Sequence, residues 1–354
     1  MSEPAPPRSH LARRRALVGA GFGVLLLAGV LVSAVVGQLA VSPAEVLGSL
    51  LRAIGITTPW APQDPVVDAA LWVVRFPRIV MAMGVGAALA AAGAVMQAIF
   101  GNPLAEPAVV GVSSGAALGA AIAIATGAAA LGEGAVAIAA FLGGLLATFL
   151  VYMVSRADGR SEIVTLLLTG IAVNAFGGAG LAFVLFLAST ASREQIVFWQ
   201  LGSLSGSLWR ESLLVVAVAV VGVVVATALG RRYDLLALGE RNARHLGVDV
   251  ERLRLGSIVL VAVLTAVAVA FVGIIAFVGL VVPHLVRMLV GPAHRALVPL
   301  SALGGAVLLV LADLLARTIA GGAELPIGML TSLVGGPFFF ALLWRQRRRS
   351  GGWA

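Results

Sequence analysis

RFPRIVMAMGVGAALAAAGAVMQAIFGNPLAEPAVVGVSSGAALG, residues Arg75–Gly119, is the stretch from which the rest of the chain can be understood. Two arginines flank a proline at the head of a long apolar run crowded with small residues, among them Gly84, Gly86, Ala90, Ala91, Ala92 and Gly93. One amide, Gln97, sits near its end, Gly101-Asn102-Pro103 breaks it, and a second small-residue run follows Pro107. Read physically, this is a membrane helix, a tight turn and a second helix running back. In lipid, where apolar burial no longer drives helices together, small residues let backbones approach closely. Gly115 and Gly119 have the spacing for such an approach.

Composition carries the same message to the whole chain. Of its 354 residues 60% are hydrophobic and 11% charged, and the mean hydropathy is +1.06, which excludes an ordinary soluble domain. With no cysteine, disulfides, iron–sulfur clusters and thiolate zinc sites are excluded. Lysine is absent too, so all 24 basic residues are arginine. A nucleotide-binding P-loop needs its lysine at the phosphates, so this chain does not hydrolyse ATP by that route, and a Schiff-base enzyme is excluded likewise. The net charge of +8 is not a nucleic-acid signature here, because the arginines are scattered between apolar runs as the positive-inside rule requires.

About 20 apolar residues cross a bilayer. Such runs fall near 16–36, 78–99, 108–128, 134–155, 162–188, 211–230, 255–272, 274–290, 296–316 and 327–344, an all-α polytopic membrane protein of about ten spans with both termini on one side. Ala16–Val36 is too long for a signal-peptide core and is read as an uncleaved first span. The seventh and eighth runs merge through Phe271–Gly273, which leaves nine or eleven spans open. A short amphipathic helix, Pro43–Ile54, is expected along the outer surface. With the N-terminus inside, 18 arginines fall on inner segments and six on outer ones, which orients the chain. Residues 1–15 and 345–354 then form basic cytoplasmic tails around one membrane domain, 16–344.

RFPR, the AAAGAVMQ run, NPLAEP and GVSSGAALG are joined, in order, by LLLTGIAVNAF (166–176), FWQLGSLSG (198–206), GERNARHLGV (239–248), GIIAFVGLVVPHLVRMLVGPAHR (273–295) and DLLARTIAGGAELPIGMLTSLVGGPFF (313–339). From about Leu71 onward the chain thus resembles the membrane permeases of the ABC importer family that takes up iron(III)-siderophores, haem and vitamin B12. The resemblance implies a homodimer of this chain in lipid, two separate ATPase subunits that use the ATP, and an extracytoplasmic substrate-binding protein. It implies no cofactor and no catalytic residue in the chain itself.

It also implies roles. In the family, arginines at the positions of Arg75, Arg78 and Arg317 meet glutamates of the binding protein, a charged rim that steers and registers a partner. Read from the residues alone, Arg75 and Arg78 could equally anchor lipid headgroups, and Arg317 could pair with Asp313 at i, i+4. The long inner connection Arg231–Arg254 resembles the family's coupling helices, with Gly239, Glu240, Ala243, Leu246 and Gly247 at the matching positions; the plainer alternative is a solvated basic loop. The fifth span, with Thr169 and Asn174, suits a tunnel wall at the dimer axis, although Asn174 could instead bond neighbouring helices. Asn102 and Leu104, with Gly159, Arg160 and Ser161, match the family's cytoplasmic constrictions. Phe198–Trp199 and Gly202–Ser203 are expected on a short helix by the outer mouth, or in an interfacial aromatic belt. His284, beside Arg287, is read as structural rather than as a haem ligand.

Two other classes fit less well. An ion-coupled secondary transporter buries carboxylates or histidines near the midplane, whereas here only Asp313 lies clearly toward a span, with Arg317 one turn away. A membrane-embedded enzyme needs a nucleophile–base or metal constellation, and the sequence has no HExxH motif or catalytic carboxylate pair. Within the family, an iron chelate (haem or ferric siderophore) is the expected cargo and cobalamin the alternative.

Overall fold

The computed structural model describes residues 8–132, 134–157, 160–319 and 323–349. Its helices follow the apolar runs: α1 (Arg8–Val35), α2 (Pro43–Ala53), α3 (Pro65–Ala69), α4 (Phe76–Phe100), α5 (Val112–Ala125), α6 (Ala135–Val154), α7 (Ile163–Leu187), α8 (Thr190–Leu201), α9 (Trp209–Leu236), α10 (Glu240–His245), α11 (Val250–Val272), α12 (Val278–Val290), α13 (His294–Thr318) and α14 (Ile327–Arg349). Each of the ten expected spans falls on one of them. Seven are long and apolar enough to cross a membrane, and the apolar parts of α5, α12 and α14 are shorter.

The helix that opens the Arg75–Gly119 stretch is the axis of the bundle. α4 is joined to α3 by a π-helical turn, Ala70–Arg75, and buries nearly every residue from Phe76 to Phe100. It can do so because its glycines remove the atoms that would hold neighbours off. A Cβ on Gly86 would lie 2.2 Å from the Gly305 carbonyl oxygen of α13, and one on Gly93 would lie 1.8 Å from that of Gly279 in α12. Gly101, at φ +59°, ends the helix in the left-handed conformation that a side chain disfavours. The pair Gly115 and Gly119 makes the close approach its spacing promised, against α6: added Cβ atoms would meet Gly143 O and Ala139 O, each at 2.3 Å.

Three boundaries differ from the sequence reading. α1 already runs from Arg8, the first described residue, inside the expected polar tail, and Arg14 Nη2 and Arg15 Nε donate to the Met288 and Val290 carbonyls at the end of α12. α14 likewise runs on to Arg349. The merged run near Phe271 is resolved by a break, Gly273–Phe277, rather than by continuous helix. Ser203 N donates to Val272 O, a Cβ on Gly273 would meet Trp199 O at 2.1 Å, and the Glu106 carboxylate accepts the Phe277 N–H at 3.0 Å. That acid at the head of α12 also complements the helix dipole. With 13 residues, α12 is about 20 Å long. The amphipathic α2 is present and carries a reciprocal cap, Ser42 N to Glu45 Oε2 at 2.8 Å and Glu45 N to Ser42 Oγ at 3.2 Å.

Candidate functional site

The three arginines expected at the docking rim line one cavity of about 260 Å³, together with Ser33, Gln38, Leu39 and Glu324. Their guanidinium groups point inward. Arg75, 6% exposed, donates through Nη1 to Ala34 O and Val35 O (3.0 Å) and through Nη2 to Leu39 O. Arg317 donates through Nη1 to Val36 O (3.1 Å) and through Nη2 to Ser33 O (3.2 Å) and Ser33 Oγ (2.6 Å). The last four carbonyls of a helix have no partner within it. Here those of Ser33, Ala34, Val35 and Val36 are met by two cations from elsewhere in the bundle, which also offset the negative end of the α1 dipole.

Arg78 makes ion pairs instead. Its Nε and Nη2 each lie 2.9 Å from Asp313 Oδ1, and its Nη1 lies 2.8 Å from Glu324 Oε1. Asp313, 1% exposed, is shared, since Arg317 Nε is 3.2 Å from its other oxygen. A buried carboxylate is tolerable only when paired in this way. The i, i+4 pairing of Asp313 with Arg317 is therefore real, but it is one edge of a larger cluster. Sequence reasoning missed Ser33 and Glu324. A signal for Glu324 existed, an acid in AELPIG soon after Asp313 and Arg317; nothing local marks Ser33.

At the other end, the elbow Arg231–Arg254 is largely helical. α9 continues through its first six residues, and Tyr233 OH lies 2.9 Å from Ser257 Oγ of α11. Asp234 Oδ1 accepts both the His294 N–H (2.8 Å) and Nδ1 (2.7 Å), joining the base of α9 to that of α13. Gly239 and Gly247, at φ +97° and +84°, bracket α10 with turns that suit only glycine. Within it Ala243 is fully buried. Glu240 pairs with Arg244 (3.3 Å) and with Arg254. Asp249 Oδ1 accepts Arg252 N at 3.1 Å and caps α11. Leu238 and Leu246 project from this frame, both more than half exposed. The five residues singled out in the sequence thus share one compact knuckle.

The pathway residues divide. Asn174 Oδ1 accepts Ser114 Oγ at 2.7 Å and its Nδ2 donates to Ala108 O at 3.2 Å, so its amide joins α7 to α5 and to the turn before it. Thr169 is half-buried on α7. The rest of α7 presents a long exposed apolar face that includes Leu168, Ile171, Phe176, Phe183 and Phe186. Asn102 Oδ1 accepts Leu104 N at 2.9 Å, tightening the turn after α4. Arg160 and Ser161 pair with Arg156–Ala157 in a two-residue antiparallel ladder, while Gly159 lies outside the described residues. Phe198 and Trp199 lie near the end of α8, which starts at Thr190, earlier than FWQ suggested. His284 is half-buried in α12, and among the described residues no His and acid side chains gather as metal ligands.

Residues 25–345 match the FecCD transport family. The cobalamin import system permease protein BtuC of Halobacterium salinarum is 45% identical over 274 residues, 76% of this chain and 72% of its own length. The hemin transport system permease protein HmuU of Yersinia pestis is 41% identical over 80% of this chain and 85% of its own. Among solved structures, an inward-facing metal-chelate type ABC transporter superposes with a TM-score of 0.81 at 33% identity, over 93% of this chain and 99% of that one. With its apolar helices packed around α4, the chain belongs to the FecCD transport family and is a membrane-embedded permease subunit of an ABC importer.

Proposed function

We propose that two copies of this chain form the translocation unit of an importer that moves an iron chelate, haem or a ferric siderophore, into the cell. Two ATPase subunits supply the power stroke from the arginine-rich side, and an extracytoplasmic binding protein delivers the cargo. The cargo class is supported by the 41% identity to a hemin permease over 80% of this chain and by the fold match, over 93% of it, to a metal-chelate type ABC transporter. In this reading the second copy packs on the exposed Leu, Ile and Phe face of α7, which sets the tunnel on that side. Thr169 and Asn174 lie on this helix, and Asn102, Leu104, Gly159, Arg160 and Ser161 belong to the inner constrictions.

The knuckle at Gly239–Gly247 is the coupling element: Leu238 and Leu246 supply its apolar tip, and the Glu240–Arg254 and Asp234–His294 pairs transmit its movement. At the outer cavity, the cluster of Arg75, Arg78 and Arg317 forms the docking site, and Arg78 is the member that receives a carboxylate of the binding protein. Cobalamin is the second reading, supported by the 45% identity to a cobalamin permease.

Pull-down of the binding protein with the purified transporter, followed by absorbance of its bound cargo, tests the assignment. A Soret band or ferric-siderophore absorption supports an iron chelate, and a cobalamin spectrum supports the second reading. Uptake into vesicles should require ATP and the ATPase subunit and should survive collapse of the proton gradient. Uptake that follows the proton gradient without ATP refutes the importer assembly.

A further inference from the structure

The two carboxylates of the outer cluster are held very differently. Asp313 lies outside the lining of the cavity, with a side chain 2% exposed that is shared between Arg78 and Arg317, which do line it. Withdrawing it would leave two buried guanidinium groups facing each other. Glu324 stands at the mouth with a side chain 42% exposed and reaches only the Nη1 edge of Arg78. An ion pair that open to water contributes little net stability and exchanges readily. The chain just after Glu324 is anchored, because Leu325 N donates to Ala316 O (3.1 Å) and Ile327 N to Gly202 O (3.0 Å). Side-chain rotation alone can therefore take the carboxylate out of the cavity.

The three arginines are equally unlike. Arg75 and Arg317 direct donors at the terminal carbonyls of α1, and neither can turn toward a partner without uncapping that helix. Arg78 Nη1 is the position whose present occupant can leave at little cost.

We propose that Glu324 is a built-in competitor for docking: it holds the outer edge of Arg78 in the undocked permease and is displaced when a carboxylate of the binding protein takes its place. This rests on the reading of the cavity as the docking site. The exchange swaps one carboxylate for another, so the charge of the cavity is nearly constant through docking. It also limits how tightly the partner is held.

The test uses the permease–ATPase complex in nanodiscs, with the cargo-loaded binding protein recovered by the pull-down above as probe. Glu324→Gln should tighten binding about two- to fivefold, the gain being limited to the small free energy of an ion pair open to water. It should also steepen the salt dependence, because the cavity then carries one more uncompensated positive charge. Glu324→Asp, too short to reach Arg78 yet still charged, should fall between. Arg78→Gln should weaken binding. If Arg78→Gln weakens binding but Glu324→Gln leaves it unchanged or weaker, the competitor is refuted and the docking site stands. If neither variant changes binding, the docking reading itself falls.

An independent arm avoids the charge change. The chain has no cysteine, so Ala323→Cys carries a single bimane label beside Glu324. Adding the binding protein should shift its emission, and an unchanged spectrum on a complex shown to be docked refutes the displacement.

Discussion

Replacing Gly93 by alanine tests the claim that α4 is an axis made possible by missing side chains. The added Cβ would stand 1.8 Å from Gly279 O, 2.4 Å from Gly279 C and 2.5 Å from Gly279 Cα. Contact becomes ordinary only from about 3.4 Å, so α12 must retreat by about 1.6 Å, and its neighbour there is backbone that cannot rotate away. Overpacking a well-filled core by one methyl group costs about 1–3 kcal/mol, and a collision with backbone belongs at the upper end or beyond it. The reverse substitution is gentler: a Cβ on Gly279 meets Leu89 O at 2.9 Å and Pro107 Cδ at 3.1 Å. Gly23 on α1 has nothing within 4 Å, and alanine there should gain up to about 1 kcal/mol from helix propensity. Thermal unfolding of the three variants in one detergent, followed by tryptophan fluorescence with size-exclusion chromatography of the survivors, should rank them Gly93→Ala far below Gly279→Ala, and Gly279→Ala below Gly23→Ala. A Gly93→Ala protein as stable as Gly23→Ala would show that α4 and α12 are not in backbone contact, and the account of the core would fail.

Arg317→Gln removes a partner of Asp313 and uncaps Ser33 and Val36; since Arg78 still pairs with Asp313, the loss should be about 2–3 kcal/mol rather than the full cost of breaking a buried pair, read as a lower denaturant midpoint and faster proteolysis near the end of α1. Asp234→Ala strips two hydrogen bonds from the start of α13 and should cost about 1–3 kcal/mol; in the assembled importer it should lower the stimulation of ATPase activity by the binding protein while leaving docking affinity intact. The third concerns pH: hydrogen bonds from the Ser42 backbone and hydroxyl hold the Glu45 carboxyl below its ordinary value, so α2 is stabilised above that ordinary value and loses the contribution as pH falls through the depressed one. Hydrogen exchange of the α2 amides, relative to those of α4, should therefore quicken on acidification, and Glu45→Gln should abolish the difference.

Much of this protein was legible before any coordinates. The ten apolar runs became helices because span length and the need to satisfy backbone groups inside lipid are local properties. The turn at Gly101 and the approach of Gly115 and Gly119 to a neighbour were equally local. The elbow was marked in the sequence by its length and its resemblance to the family's coupling helices, while α10 and its bracketing by Gly239 and Gly247 became visible only in the structure. The break at Gly273–Phe277 was not marked, because an apolar run carries no sign of where a partner such as Glu106 will cap it.

What the linear chain determined, then, is which segments leave water and where most of them turn. Only the tertiary structure decided what the arginines do. Arg78 finds Asp313 across 235 residues and Arg317 finds Ser33 across 284, and no local pattern encodes such distances. A guanidinium at a helix end reads the same whether it faces water, a headgroup or the bare carbonyls of another helix. Its environment is settled by which helices pack beside it, and in a bilayer that depends on how closely glycine-lined backbones can meet.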